Sequence, residues 1–200
     1  MRFFNTEGPN RPDRHYSLSP LQRWDLAEVL ALIDQEKYFL LHAPRQTGKT
    51  TCLLALMDHL NREGRYRALY VNIEAAQAAR ERVEAGMAAV VQAIANSAAW
   101  RLGDAQADML AREVLQGPSV LVGVEAFLTR WSAQSPCPLV LLLDEVDALV
   151  GDTLISLLRQ LRAGYEQRPH HFPQTVILCG VRDLRDYRIH ASGEAAVITG

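Results

Sequence analysis

Tyr38-Phe39-Leu40-Leu41-His42-Ala43-Pro44-Arg45-Gln46-Thr47-Gly48-Lys49-Thr50-Thr51 is an apolar run that opens into a short polar loop and then into helix-forming sequence. The pattern G-x-x-x-x-G-K-[ST] marks a loop that wraps phosphate groups, and residues 43–50 match it except that Ala43 stands where the first glycine usually does. Alanine is the next smallest residue and fits a tight exit from a strand provided its φ is negative. Gly48, next to the phosphates in this pattern, is kept. Consecutive backbone N–H groups from Gln46 to Thr51, together with the start of the following helix, are placed to hold phosphate oxygens. The candidate phosphate-binding stretch is therefore Ala43, Pro44, Arg45, Gln46, Thr47, Gly48, Lys49, Thr50 and Thr51. In it Lys49 brings a point charge to the β- and γ-phosphates, the Thr50 hydroxyl joins a Mg²⁺ shell, and Thr51 caps or packs.

Working outward, 200 residues suffice for one α/β domain with a sizeable core. Hydrophobic residues make up 48% of the chain and the formal net charge is −2, so no global positive field recruits nucleic acid or an acidic membrane. Cys52, Cys137 and Cys179 are odd in number, far apart and flanked by apolar sequence, which predicts reduced, mostly buried thiols. No apolar run approaches the length of a membrane span, and a cytoplasmic location is the expectation.

Residues 1–20, with four of the chain's prolines and glycines among polar residues from Gly8 to Pro20, read as an N-terminal arm, and residues 21–200 as the core. His15 and Tyr16 are the arm's candidates for stacking on a base, against the plainer reading of an exposed arm with incidental aromatics. Leu21–Gln35 is expected to be one helix, entered through Ser19-Pro20. The first strand spans 38–42, and its loop's helix runs to about Arg62 and stops at Gly64. A second strand at 68–73 is followed by three helical stripes, built on Val83 to Ala98, on Met109, Leu110 and Val114, and on Leu121 to Trp131. Residues 75–136 thus form a helical crossover or insertion longer than a minimal connection needs.

Leu139-Val140-Leu141-Leu142-Leu143 is unbroken apolar sequence between Pro138 and Asp144, the signature of a parallel strand buried on both faces. A helix from Thr153 to Glu166 and a further buried strand at 175–179 complete the alternation. Alternating strands and helices predict an α/β fold, a doubly wound parallel sheet flanked by helices in three layers. In such a sheet ligands gather outside the carboxyl ends of the strands. Asp144 and Glu145 fall there, as does Arg182 after Cys179-Gly180-Val181.

An apolar strand ending in Asp144 places a carboxylate opposite the loop, where it holds Mg²⁺, and Glu145 reaches the γ-phosphate region, where a second carboxylate orients water. The competing reading of this acidic cluster is a helix cap. Arg182 either senses the γ-phosphate and stabilises charge in transfer or belongs to a solvated face of alternating charges. Arg159, Arg162 and Arg168 read chiefly as exposed charges that keep the surface soluble, with an arginine finger to a neighbouring subunit as the alternative.

With these pieces in place the chain resembles the ATPase core of the AAA+ and STAND-like branch of P-loop NTPases. It is similar in particular to bacterial AAA-like ATP-binding proteins, through Pro44–Thr50, Asp144-Glu145, the opening Phe4-Asn5-Thr6-Glu7-Gly8-Pro9, and His15-Tyr16. The resemblance implies ATP and Mg²⁺ as ligands, with hydrolysis driving a conformational change and Glu145, Lys49 and Arg182 as the catalytic set. A switch or scaffold with negligible hydrolysis is the alternative; a small-molecule kinase and a DNA-acting ATPase rank below it. Implied partners are the nucleotide and a homo-oligomer or protein partner, with no membrane, and no sequence feature supports nucleic acid. Relatives of this kind carry a helical lid after a five-stranded sheet. This chain reaches Gly200 without one, so a C-terminally truncated core is expected.

Overall fold

The computed structural model of the chain describes residues 3–5, 11, 13–16, 18–117 and 119–181. Four parallel strands, β1 (Phe39–His42), β2 (Arg67–Asn72), β3 (Leu139–Asp144) and β4 (Thr175–Gly180), form one sheet in the order β1-β4-β3-β2. The register sets Phe39 beside Ile177, Leu142 beside Ile177 on the other side, and Asn72 beside Asp144. Every residue of β3 and β4 is buried, as a central parallel strand covered on both faces requires.

Successive side chains of a strand point to opposite faces, and this alternation sorts the core in two. Leu41, Tyr70, Val140, Leu142, Ile177 and Cys179 pack with α1 (Leu26–Asp34) and α2 (Lys49–Glu63). Leu69, Val71, Leu139, Leu141, Leu143 and Val176 pack with α3 (Val83–Leu102), α4 (Ala105–Leu115), α5 (Gly123–Ala133) and α6 (Gly151–Ala163). The result is the three-layer, doubly wound α/β arrangement that the sequence predicts.

Several elements depart from their expected bounds. The single helix expected over Leu21–Gln35 is broken: Pro20–Arg23 is a 3₁₀ turn, Trp24 is extended (φ −113°, ψ 158°), and α1 begins only after Asp25. The cause is local, because the Asp25 carboxylate accepts the Glu28 backbone N–H at 3.0 Å and caps a new helix start. Helix α6 starts two residues earlier than Thr153 and ends at Ala163, where a 3₁₀ turn, Gly164–Gln167, takes over. The expected stripes slip at their edges, since Met109 and Leu121 are exposed while Leu110, Val114 and Phe127 are buried. Gly64, in the left-handed conformation (φ 73°), closes α2 as expected.

The three cysteines are free, Cys52 and Cys179 buried and Cys137 half-buried. His15 is buried and meets Phe3 edge-on at 4.8 Å, while exposed Tyr16 lies against Phe4 at 5.1 Å, so these two rings contact aromatics of the arm itself. Arg168 is no solvated surface residue. Its guanidinium lies 3.3 Å from the Tyr165 ring centroid and donates to the carbonyls of Glu36, Tyr165 and Gln174. Among the described residues no helix is long and apolar enough to cross a membrane.

Candidate functional site

The strand order brings the carboxyl ends of β1, β4 and β3 side by side, so the loop after β1 and the acidic pair after β3 face each other across β4. Ala43 leaves β1 with its N–H on the Gly180 carbonyl at 3.4 Å, and its φ is not positive. The alanine therefore occupies a turn that does not need glycine. Two loop residues do take left-handed angles, Gln46 (φ 61°) and Gly48 (φ 81°). The Thr47 hydroxyl donates to the Pro44 carbonyl at 2.8 Å and closes the loop on itself. Arg45 and Gln46 are exposed, and Gly48 accepts the first helical hydrogen bond of α2 from Cys52 at 3.0 Å.

Lys49 is the first residue of α2, and its ammonium donates to the carbonyls of Ala43 at 2.8 Å and Pro44 at 3.0 Å. Thr50 follows, and its hydroxyl donates to Asp144 Oδ2 at 2.7 Å. Thr51 is half-buried in the same turn. The dipole of α2 leaves a concentration of positive partial charge at the loop.

Asp144 is buried, at 1% exposure, and its carboxylate accepts three hydrogen bonds. Besides Thr50, the Tyr70 hydroxyl donates to Oδ2 at 2.9 Å and the Glu145 backbone N–H to Oδ1 at 3.0 Å. Burial first, and then the Asp144 charge, push the Tyr70 hydroxyl and the Cys179 thiol well above their ordinary pKa values, so both remain protonated. Tyr70 and Cys179 escaped the sequence reading. Each lies one or two residues before a strand's carboxyl end, and the period-2 alternation puts both on the face of α2, the one signal that could have found them.

Glu145 turns out of β3 with φ 59°, a left-handed angle seldom taken by glutamate. Its carboxyl is raised above the usual range, first by burial and then by Asp144, Asp147 and Glu74, with Lys49 pulling partly the other way. Asp147 faces the end of β4: its Oδ2 accepts the Val181 N–H at 3.4 Å, and its Oδ1 is buried with no hydrogen-bond partner among the described residues. A Cβ at Gly180 would come within 2.9 Å of that oxygen. Arg182 lies outside the described residues.

The structure thus brings Ala43 to Thr51, Asp144 and Glu145 to one edge of the sheet, and adds the Tyr70 hydroxyl to Asp144. A hydroxyl and a carboxylate 2.7 Å apart are hard oxygen donors of the kind Mg²⁺ prefers, so the residues fit such an ion. Among the described residues no group of three or more His, Cys, Asp or Glu is gathered to hold a metal.

A family model described as AAA domain matches residues 33–187, more than half of the chain. Among solved structures, the Aeropyrum pernix Orc1 protein in complex with DNA is similar at 21% identity and a TM-score of 0.49, over 87% of this chain and 40% of that one. The chain therefore spans less than half the length of that structure. No curated protein matches the chain.

Proposed function

The chain belongs to the AAA domain family of P-loop ATPases, and from that premise we propose that it binds ATP with Mg²⁺ and hydrolyses it, the cycle driving a conformational change. The observation that carries this reading is the 2.7 Å contact between Thr50 and Asp144, with Lys49 on one side and Glu145 on the other. In the proposed complex Gln46 to Thr51 wrap the phosphates and Lys49 exchanges its two carbonyl partners for phosphate oxygens. Thr50 and Asp144 hold Mg²⁺, which when bound neutralises charge on the β- and γ-phosphates. Tyr70 keeps the Asp144 carboxylate in place, and Glu145 orients the attacking water. Arg182, two residues after Gly180 in the sequence, is proposed to act on the γ-phosphate.

The test is nucleotide binding and phosphate release by the 200-residue chain with Mg²⁺, comparing ATP with GTP. Lys49→Ala is expected to abolish binding, and Glu145→Gln to keep binding while stopping turnover. Full turnover in the Glu145→Gln variant removes Glu145 from its role. Binding by the wild type without phosphate release replaces hydrolysis with a nucleotide-dependent switch.

A further inference from the structure

The 3₁₀ turn Pro20–Arg23 projects a cation onto the phosphate loop. In a 3₁₀ helix side chains three apart share a face, and here Leu21 and Trp24 both pack into the α1–α2 core. The Pro20 carbonyl accepts the Cys52 thiol at 3.4 Å, so the turn is tied to the first turn of α2 as well. Arg23 stands on the opposite side of this anchored turn, exposed, with its guanidinium against Gly48. A Cβ built on Gly48 would lie 2.7 Å from Arg23 Nη1 and 3.7 Å from Cζ. The same guanidinium partly offsets the burial that raises the Cys52 thiol, a second sign that its charge faces the start of α2.

Lys49 is satisfied by two loop carbonyls, whereas Arg23 has no hydrogen-bond or ion-pair partner among the described residues. A planar, permanently charged fork fixed beside the N–H groups of a phosphate loop matches the paired oxygens of a phosphate. Because the backbone of such a loop cradles the α- and β-phosphates while its lysine reaches toward the γ-phosphate, a group beside Gly48 addresses the diphosphate end.

We infer that Arg23 is a nucleotide-binding residue, which clamps the α/β-diphosphate of the bound nucleotide onto the loop from outside the phosphate-loop motif. The inference rests on the nucleotide reading above and adds a residue to it. Its consequence is selective: ADP and ATP depend on Arg23 equally, because the γ-phosphate is not its partner.

The experiment is calorimetric titration of the full chain with ADP and with Mg²⁺-ATP, for wild type, Arg23→Ala and Arg23→Lys, with Gln22→Ala from the same turn as control and melting curves for each. Arg23→Ala is expected to weaken ADP and ATP by a common factor of about ten or more while the melting temperature stays put. Arg23→Lys is expected to recover part of the loss, keeping the charge without the fork, and Gln22→Ala to bind as wild type. Wild-type binding with Arg23→Ala within two-fold of it, or a loss confined to ATP, overturns the clamp and leaves the nucleotide reading standing. No binding by the wild type overturns both.

Discussion

Glu145 combines a left-handed backbone with a raised carboxyl, and the two have one origin in its place at the crowded end of β3. Burial and three neighbouring carboxylates, Asp144, Asp147 and Glu74, disfavour its charged form. In its proposed role as water-orienting base it would work ionised, so turnover is expected to fall away with decreasing pH above the ordinary carboxylate range, visible in a pH–rate profile at saturating Mg²⁺-ATP. The linkage has the opposite sign for folding. A carboxyl whose folded pKa exceeds its unfolded one binds protons more tightly when folded, so stability is lost as pH rises from the unfolded pKa through the folded one. Glu145→Gln is therefore expected to be more stable than wild type at neutral pH, with the gain vanishing in acid, in urea titrations at both pH values; an equal gain at both would exclude the ionisation as its cause. At this scale the sequence discloses Asp144 and Glu145 through the apolar run before them. It conceals Tyr70, because a tyrosine in a strand reads as core until the neighbouring strand's end is known to lie beside it.

Elements, rather than residues, show where periodicity runs out. Helix α3 was legible because seven of its positions are buried at helical spacing, whereas the Pro20–Asp34 segment splits into two elements at Trp24 that share one apolar stripe. A stripe records burial, and it does not record the cap that starts a new helix. Asp104 is the clearest case. It caps α4 through the Gln106 and Ala107 N–H groups, accepts the Trp131 indole N–H of α5 at 2.8 Å, and pairs with Arg67 of β2 at 3.0 Å. Burial alone would raise its carboxyl, but the Trp131 bond, the Arg67 charge and the two backbone N–H groups outweigh it, and the net shift is downward. A depressed carboxylate contributes stability that is present above its unfolded pKa and lost as pH falls through the folded one. Asp104→Ala removes the cap and leaves the buried indole N–H unpaired, at a cost of about 2–4 kcal/mol by denaturant titration near neutral pH. The cost should shrink in acid, where wild type has already lost the interaction; a cost below about 0.5 kcal/mol at neutral pH would mean that neither the cap nor the indole bond contributes appreciably.

For the whole molecule, the sheet is a shared wall. Along β3 alone, Val140 and Leu142 belong to the core on the α2 side while Leu139, Leu141 and Leu143 belong to the core on the α3–α6 side. Losing β3 opens both cores at once, so the described domain is expected to unfold in one transition despite having two helical layers. The candidate site draws on the same wall, since Thr50 comes from α2 and Asp144 from β3. A ligand held between them stabilises both layers together. Nucleotide at a hundred times its Kd adds about 2.7 kcal/mol to the folded state, which for a chain of this size corresponds to a rise of about 5–11 °C in Tm. Calorimetry with and without Mg²⁺-ATP should therefore show one endotherm moving upward as a unit, and Lys49→Ala should hold it in place at every nucleotide concentration. Two endotherms of which only one moves would show that α1, α2 and their face of the sheet melt separately from α3–α6, and that the strand shared by the two cores does not couple them.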